Sequence, residues 1–198
     1  MKPKTYIMIG RSGSGKGTQT KLLKEYTEKQ DPETEILHIE SGDEFRDFLR
    51  RDAYASKLAK GIITEGKLQP AFLAVWVWAD SLIKYLDDKK HIILDGTPRK
   101  LSEALVLNEA LSFYGRENVN VIYINVSTDW ATDKLMSRKS DRTDDTREGI
   151  KKRQGWFDTD TMQAIDFYRD DSGYNFFEIN GEQAVEEVHN EIVENLEK

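Results

Sequence analysis

The sequence contains no cysteine, which excludes a disulfide framework and a thiolate zinc site and leaves the redox compartment unreadable. Nor is there a surplus of basic residues: 29 Lys and Arg stand against 36 Asp and Glu, for a net charge of −7. Binding nucleic acid without regard to sequence relies on excess Lys and Arg to neutralise phosphates, so that class is disfavoured, while one local cationic pocket stays compatible with the balance. Long apolar runs are missing too. The longest, AFLAVWVWA at 71–79, falls far short of the roughly 20 residues that span a bilayer, and the apolar part of MKPKTYIMIG is too short for a signal peptide. The expectation is a cytoplasmic chain with neither nucleic acid nor membrane among its partners.

At 198 residues and 38% apolar content, the chain is long enough to bury a large share of its surface as one unit, with room for a small inserted lobe. Short segments rich in Ile, Val, Tyr and Phe read as strands: TYIMIG, EILHIE, HIILDG, NVIYIN and YNFFEI. Between them run helical patterns at 16–29, 42–60, 71–87, 100–114, 128–139, 144–170 and 183–197. In the third, Phe72, Val75, Trp76, Ala79, Leu82, Ile83 and Leu86 keep i, i+3, i+4, i+7 spacing. Strands alternating with helices predict an α/β fold: a five-stranded, mostly parallel sheet flanked by helices in three layers. Ligands in such folds bind at the carboxyl ends of the strands, here the ends of TYIMIG and HIILDG. The polar stretch SRKSDRTDDTRE at 137–148 reads as a loop.

Directly after the first strand comes Gly10-Arg11-Ser12-Gly13-Ser14-Gly15-Lys16-Gly17-Thr18-Gln19, and then the helical run TKLLKEY. This is G-x-x-x-x-G-K in its required setting, strand before and helix after. Glycines let backbone N–H groups close on phosphate oxygens, the helix N-terminus adds partial positive charge, and Lys16 adds a full one. Ser or Thr, the usual magnesium ligand of such loops, is replaced at position 17 by glycine, with Thr18 one step on.

Further stretches complete a pattern: Ser41-Gly42-Asp43-Glu44-Phe45-Arg46, Glu65-Gly66-Lys67-Leu68-Gln69, Asp95-Gly96-Thr97-Pro98-Arg99, and Arg138 with Arg142-Thr143-Asp144-Asp145 and Arg153. With GSGKGTQ they resemble, in order and over nearly the whole chain, the nucleoside monophosphate kinases, the family of adenylate and UMP/CMP kinases, and most closely the adenylate kinases with a short lid. The resemblance implies a single P-loop kinase domain over 1–198, with a small helical monophosphate-binding lobe at 41–69 and a short lid at 137–148. It implies ATP contacts at Gly13, Ser14, Gly15, Lys16, Gly17, Thr18, Arg138 and Gln183. For the monophosphate it implies Ser41, Arg46, Lys67, Leu68, Gln69, Gly96, Thr97, Pro98, Arg99, Glu103, Arg142 and Arg153. Lys16, Arg99, Arg138, Arg142 and Arg153 would carry the catalytic charge, and Asp95 would orient waters of a Mg²⁺ that accompanies ATP. Only three residues separate Arg138 from Arg142, so the long lid is absent; its zinc version is ruled out by that length and by the lack of cysteine.

The implied reaction is transfer of the ATP γ-phosphoryl group to a nucleoside monophosphate, AMP first, by a monomer. Such transfer depends on placement, neutralised charge and exclusion of water, so His38, His91 and His189 are expected to be structural or surface residues. No N-K-x-D follows a late strand to read guanine in the manner of a GTPase, and Gly96 rather than a catalytic glutamate follows Asp95. GMP, UMP and CMP stand as alternative acceptors, and a non-catalytic nucleotide sensor as the alternative class. Four residues past Arg99, where adenylate kinases usually carry a Gln that reads adenine, this chain has Glu103. An ionised carboxylate only accepts hydrogen bonds, and it suits the two donors of guanine better than N1 of adenine.

Overall fold

A computed structural model describes residues 2–64, 67–137, 146–171 and 173–198. Among these, five strands form one parallel sheet: β1 (Thr5–Gly10), β2 (Ile36–Glu40), β3 (His91–Asp95), β4 (Val119–Asn125) and β5 (Tyr174–Asn180), in the order β2-β3-β1-β4-β5. The helices are α1 (Lys16–Gln30), α2 (Ser41–Arg50), α3 (Tyr54–Thr64), α4 (Ala71–Tyr85), α5 (Leu101–Phe113), α6 (Thr128–Ser137), α7 (Arg147–Trp156), α8 (Met162–Asp170) and α9 (Val185–Leu196).

A parallel sheet covered on both faces needs strands that are apolar on both sides. β1 and β3 meet that requirement with nearly unbroken burial. Because side chains alternate along a strand, the core divides in two. Ile7, Ile9, Ile39, Ile92, Leu94, Val121 and Tyr123 pack with Trp78, Leu82, Leu107, Leu111, Ile165 and Tyr168 on one face. Tyr6, Met8, Ile93, Ile122, Ile124 and Ile179 pack with Leu23, Val188 and Ile192 on the other. A third, smaller cluster of Phe48, Ala59 and Leu73, with Phe45 and Leu49 beside it, holds α2 and α3 against α4.

Register decides where the chemistry meets. Asp95 stands across from Met8 of β1 on one side and from Glu40 of β2 on the other. The turns that leave β1, β2 and β3 therefore open at the same height on the carboxyl edge.

Two helical spans differ from expectation. The pattern at 42–60 is two helices, α2 and α3. Arg51 turns to an extended conformation, and the Ser56 hydroxyl donates to the Phe48 carbonyl at 2.8 Å, which folds α3 back so that Ala59 reaches Phe48. The pattern at 144–170 divides into α7, a π-helical turn Phe157–Thr161, and α8. The buried positions Ile150, Gln154, Phe157, Thr161, Ala164 and Ile165 keep spacings of three and four through that turn, so period alone does not reveal the inserted residue.

Candidate active site

The phosphate loop connects β1 to α1 and draws its shape from glycines. Gly13 has φ of 94°, and a Cβ there would meet the Ala131 carbonyl oxygen at 2.4 Å, so the loop can press against α6 only with glycine at this point. Lys16 is the first residue of α1, and its Nζ lies 2.5 Å from Oδ1 of Asp95 at the end of β3. Asp95 is 4% exposed, so the ammonium and carboxylate are held together at the base of the cleft. His38 on β2 lies within electrostatic reach of Asp95 and Lys16. Burial pulls its pKa down, with the Asp95 charge opposing, which favours a neutral imidazole in the structural role expected of it.

A second set of expected site residues gathers around Gly96. Its φ is +75°, and the point where a Cβ would stand is 3.2 Å from Ser41 Oγ, 3.5 Å from an Arg99 guanidinium nitrogen and 3.8 Å from Lys16 Nζ. Groups from three segments thus converge on one backbone position. The Ser41 hydroxyl donates to the Gly96 carbonyl at 2.8 Å, and Arg99 Nε donates to the same oxygen at 2.8 Å. Thr97 is buried, and the Thr97–Pro98 peptide is cis. At 3% exposure Glu103 is buried in the first turn of α5, and its Oε2 accepts from the Arg99 backbone N–H at 3.1 Å. Burial pushes its pKa up, against the opposing influence of that N–H, the Arg99 and Lys100 charges and Thr97.

A cavity of about 570 Å³ lies over these groups. Lys16, Asp95, Gly96, Thr97, Pro98, Arg99, Glu103 and Arg153 line one part of it, and Ser41, Arg46, Lys67, Leu68 and Gln69 another. Arg46 on α2 is ion-paired with Asp43 and stands 3.7 Å from Glu40. The Gln69 amide donates to the Ala59 carbonyl at 3.0 Å, and Lys100 Nζ donates to the Gln69 carbonyl at 3.2 Å, joining the far end of the lobe to the start of α5. A second hollow of about 520 Å³, around Lys2, Arg116 and Asn118, lies at the amino ends of the strands, away from this cluster.

Of the other expected site residues, Gly13, Ser14, Gly15, Gly17 and Thr18 form the loop and the first turn of α1 but do not line the cavity. Gln183 stands apart as well: its amide donates to the Asn180 carbonyl at 2.9 Å and to Glu191 at 2.8 Å. Arg138 and Arg142, with most of the expected lid, lie outside the described residues. Phe45, Lys152 and Trp156 also line the cavity and were not among the expected site residues. Nor were Arg11, Gln154, Asp158 and Thr161, which tie the loops around it to one another. Arg11 was visible as a cation within the phosphate loop; nothing in the sequence marked its partners, about 140 residues away.

As a place for Mg²⁺, the donor set is the Asp95 carboxylate, one of whose oxygens already faces Lys16. No group of three acidic or histidine side chains suited to a metal occurs among the described residues. A single carboxylate fits an ion that arrives on nucleotide phosphates and keeps most of its waters.

A family model described as adenylate kinase matches residues 8–173. The chain is 33% identical over 186 residues to Adenylate kinase 1 of Nostoc sp., an alignment covering 94% of this chain and 95% of the relative. It is 31% identical over 194 residues to an adenylate kinase of Phocaeicola vulgatus, with 97% of each chain covered. Identity is also 31% over 195 residues to an adenylate kinase of Leptospira biflexa, covering 98% of this chain and all of the relative.

Proposed function

The chain belongs to the adenylate kinase family, and from that premise we propose that it catalyses the reversible transfer of the γ-phosphoryl group of ATP to AMP, giving two ADP. The observation that carries the reading is the convergence at Gly96, where Lys16 from the donor loop, Ser41 from the acceptor lobe and the Arg99 guanidinium approach one point in the lining of a single cavity.

In this reading Lys16 and the loop N–H groups hold the ATP phosphates, while Arg99 and Arg46 grip the acceptor phosphate. Arg153, with Arg138 and Arg142, neutralises charge on the transferred group. Asp95 would orient the waters of the Mg²⁺ that accompanies ATP, and that ion would supply charge to offset the phosphates. The acceptor's own phosphate oxygen is anionic, so no side chain has to remove a proton from it. We assign 41–69 to the lobe and 137–148 to the lid of one domain spanning 1–198, and Gln183, which does not line the cavity, to the ATP side. We assign the enzyme to the cytoplasm as a monomer; its lid does without zinc, because a thiolate site needs cysteine and the chain has none.

AMP as acceptor asks something of Glu103. Burial pushes the Glu103 pKa up; a carboxyl that holds its proton donates as well as accepts and would match N1 and N6 of adenine, whereas the ionised form would meet only the N6 amine. The test is ADP formation from ATP-Mg²⁺ with AMP, GMP, CMP, UMP and dTMP in turn. AMP is expected to be the preferred acceptor. Faster reaction with GMP would move the reading to a guanylate kinase, and no ADP with any acceptor would leave a nucleotide sensor.

A further inference from the structure

Arg11 is the second residue of the phosphate loop, yet its side chain, only 10% exposed, does not line the cavity. It reaches across to the chain around residue 154. Nη1 donates to Gln154 Oε1 at 3.2 Å and to Thr128 Oγ1 at 2.9 Å, Nη2 donates to Asp158 Oδ1 at 3.0 Å, and the guanidinium lies 4.5 Å from the centroid of the Phe157 ring. Gln154, 3% exposed, answers with its amide: Nε2 donates to the Ser12 carbonyl at 3.0 Å. One side chain of α7 therefore brackets two consecutive loop residues, accepting from one and donating to the next. At the other end of the π-helical turn, the Thr161 hydroxyl donates to the Arg99 carbonyl at 3.1 Å. The segment that carries Arg153 is thus fastened to the donor loop one residue beyond Arg153 and to the acceptor loop eight residues beyond it.

We propose that Arg11 is a positioning residue for phosphoryl transfer: through Gln154, Asp158 and Phe157 it holds α7 at the height that presents Arg153 to the group in flight. This rests on the reaction proposed above. A planar fork with two nitrogens and a stacking face can meet Thr128, Gln154, Asp158 and Phe157 at once, which a lysine ammonium cannot. The arrangement leaves the P-loop backbone to bind ATP and assigns Arg11 the spacing between that backbone and α7. A displacement of about 1 Å in such a group costs on the order of 100-fold in rate, so Arg11 matters to turnover without touching substrate.

The experiment compares wild type, Arg11→Met, Arg11→Lys, Arg153→Met and the Arg11→Met/Arg153→Met double variant in steady-state kinetics with ATP-Mg²⁺ and AMP, alongside amide hydrogen exchange. Arg11→Met is expected to lower kcat about 10- to 100-fold with both KM values within about threefold, and Arg11→Lys to fall with it. In the Arg153→Met background the same change should lower kcat by less than about threefold, because the group it positions is gone. Amides of α7 and the π-helical turn should exchange faster while those of β1 and β3 stay protected. Unchanged kcat in Arg11→Met, wild-type kcat in Arg11→Lys, an equal loss in both backgrounds, or a loss confined to the KM for ATP would each overturn the proposal. Should Arg11→Met fail to fold, Gln154→Met and Asp158→Asn each remove one arm; about three- to tenfold lower kcat in each supports the proposal, and wild-type kcat in both overturns it. A wild-type enzyme that forms no ADP would sink the reaction reading alone, since the exchange comparison still reads the hold of Arg11 on α7.

Discussion

The cavity has two walls built on different scales. The sheet wall carries the phosphate loop, Asp95 and Arg99, and behind it lie large buried clusters on both faces of the sheet. The other wall, assigned above to the acceptor lobe, carries Ser41, Arg46 and Lys67 on α2 and the chain that follows α3, and its core is Phe48, Ala59 and Leu73. On α3, Tyr54 and Leu58 are left 78% and 53% exposed. Each fully buried large apolar side chain contributes about 1.5–3 kcal/mol, so the free energy of folding is concentrated in the sheet, and the lobe belongs at the low end of local stability. The difference teaches a division of labour. Under the proposed function the better-buried wall would hold Lys16, Asp95 and Arg99 in place before chemistry, and the less buried wall would add Ser41, Arg46 and Lys67 from the acceptor side.

The sharpest way to break this comparison is to remove one cation from each wall. Lys16→Met is expected to lower kcat by about 10³-fold or more, a transition-state loss of about 4 kcal/mol, whereas Arg46→Met should act mainly on the KM for AMP, raising it about 10- to 100-fold. Steady-state kinetics with AMP varied decides it, and a kcat loss in Arg46→Met as large as in Lys16→Met would dissolve the distinction. Packing comes next. Leu107→Ala, in the sheet core at 0% exposure, should cost about 3–5 kcal/mol of global stability, and Leu73→Ala, at 7% exposure in the lobe cluster, about 2–3 kcal/mol. Denaturant unfolding should register the first in full; hydrogen exchange should show the second chiefly as faster exchange in α2 and α3.

Smaller effects sharpen the account of the rigid wall. Glu103→Gln replaces a carboxyl with an amide that donates and accepts at any pH, so the preference for AMP over GMP should rise about tenfold, on the order of 1–2 kcal/mol. Equal relative rates before and after would show that position 103 does not read the base. The smallest effect is on acid stability. His91 is buried, its Nδ1 accepts from the Lys4 backbone N–H at 2.8 Å, and burial pulls its pKa below 6.5 although Asp31 opposes the shift. A lowered pKa in the fold means that the unfolded chain takes up the proton first. The His91 contribution is therefore complete above pH 6.5 and is lost as pH falls from 6.5 through the folded value. His91→Asn keeps an acceptor for Lys4 but does not titrate, so its stability deficit relative to wild type should shrink on acidification, as measured by denaturant unfolding between pH 7.5 and 5. Glu103 works in the opposite sense. Its raised pKa makes the neutral form the stabilising one, so its contribution declines as pH rises from 4.5 through the folded value.

Much of this was legible in the chain because it is local. The alternation of short β-rich runs with helical periods foretold the parallel sheet, and Gly10 to Lys16 foretold the loop, since glycine placement and a following helix are decided by neighbours in sequence. Asp95 and Arg99 were legible because one turn holds both. The π-helical turn was not, because the buried positions on either side keep helical spacing, and the break at Arg51 goes with the Ser56 hydroxyl closing onto the Phe48 carbonyl. Gln183 was expected at the ATP side; what the sequence did not mark is that its amide donates to Asn180 and Glu191. Arg11 stands in the loop sequence with nothing to mark it as a tie across the molecule, which it is.

The sequence by itself determined the types of groups and their order: a phosphate loop, a lobe arginine, a strand-end aspartate followed by an arginine, and a late arginine set, with neither cysteine nor a basic surplus. The tertiary structure decided which of them meet. The β2-β3-β1 register sets Glu40, Asp95 and Met8 at one height, so Lys16, Ser41 and Arg99 converge on Gly96, and packing against α6 and α7 turns Arg11 away from the cavity. The reason is physical: φ/ψ preferences and side-chain period act over a few residues, while strand register and the pairing of buried polar groups are settled only when distant segments exclude water together.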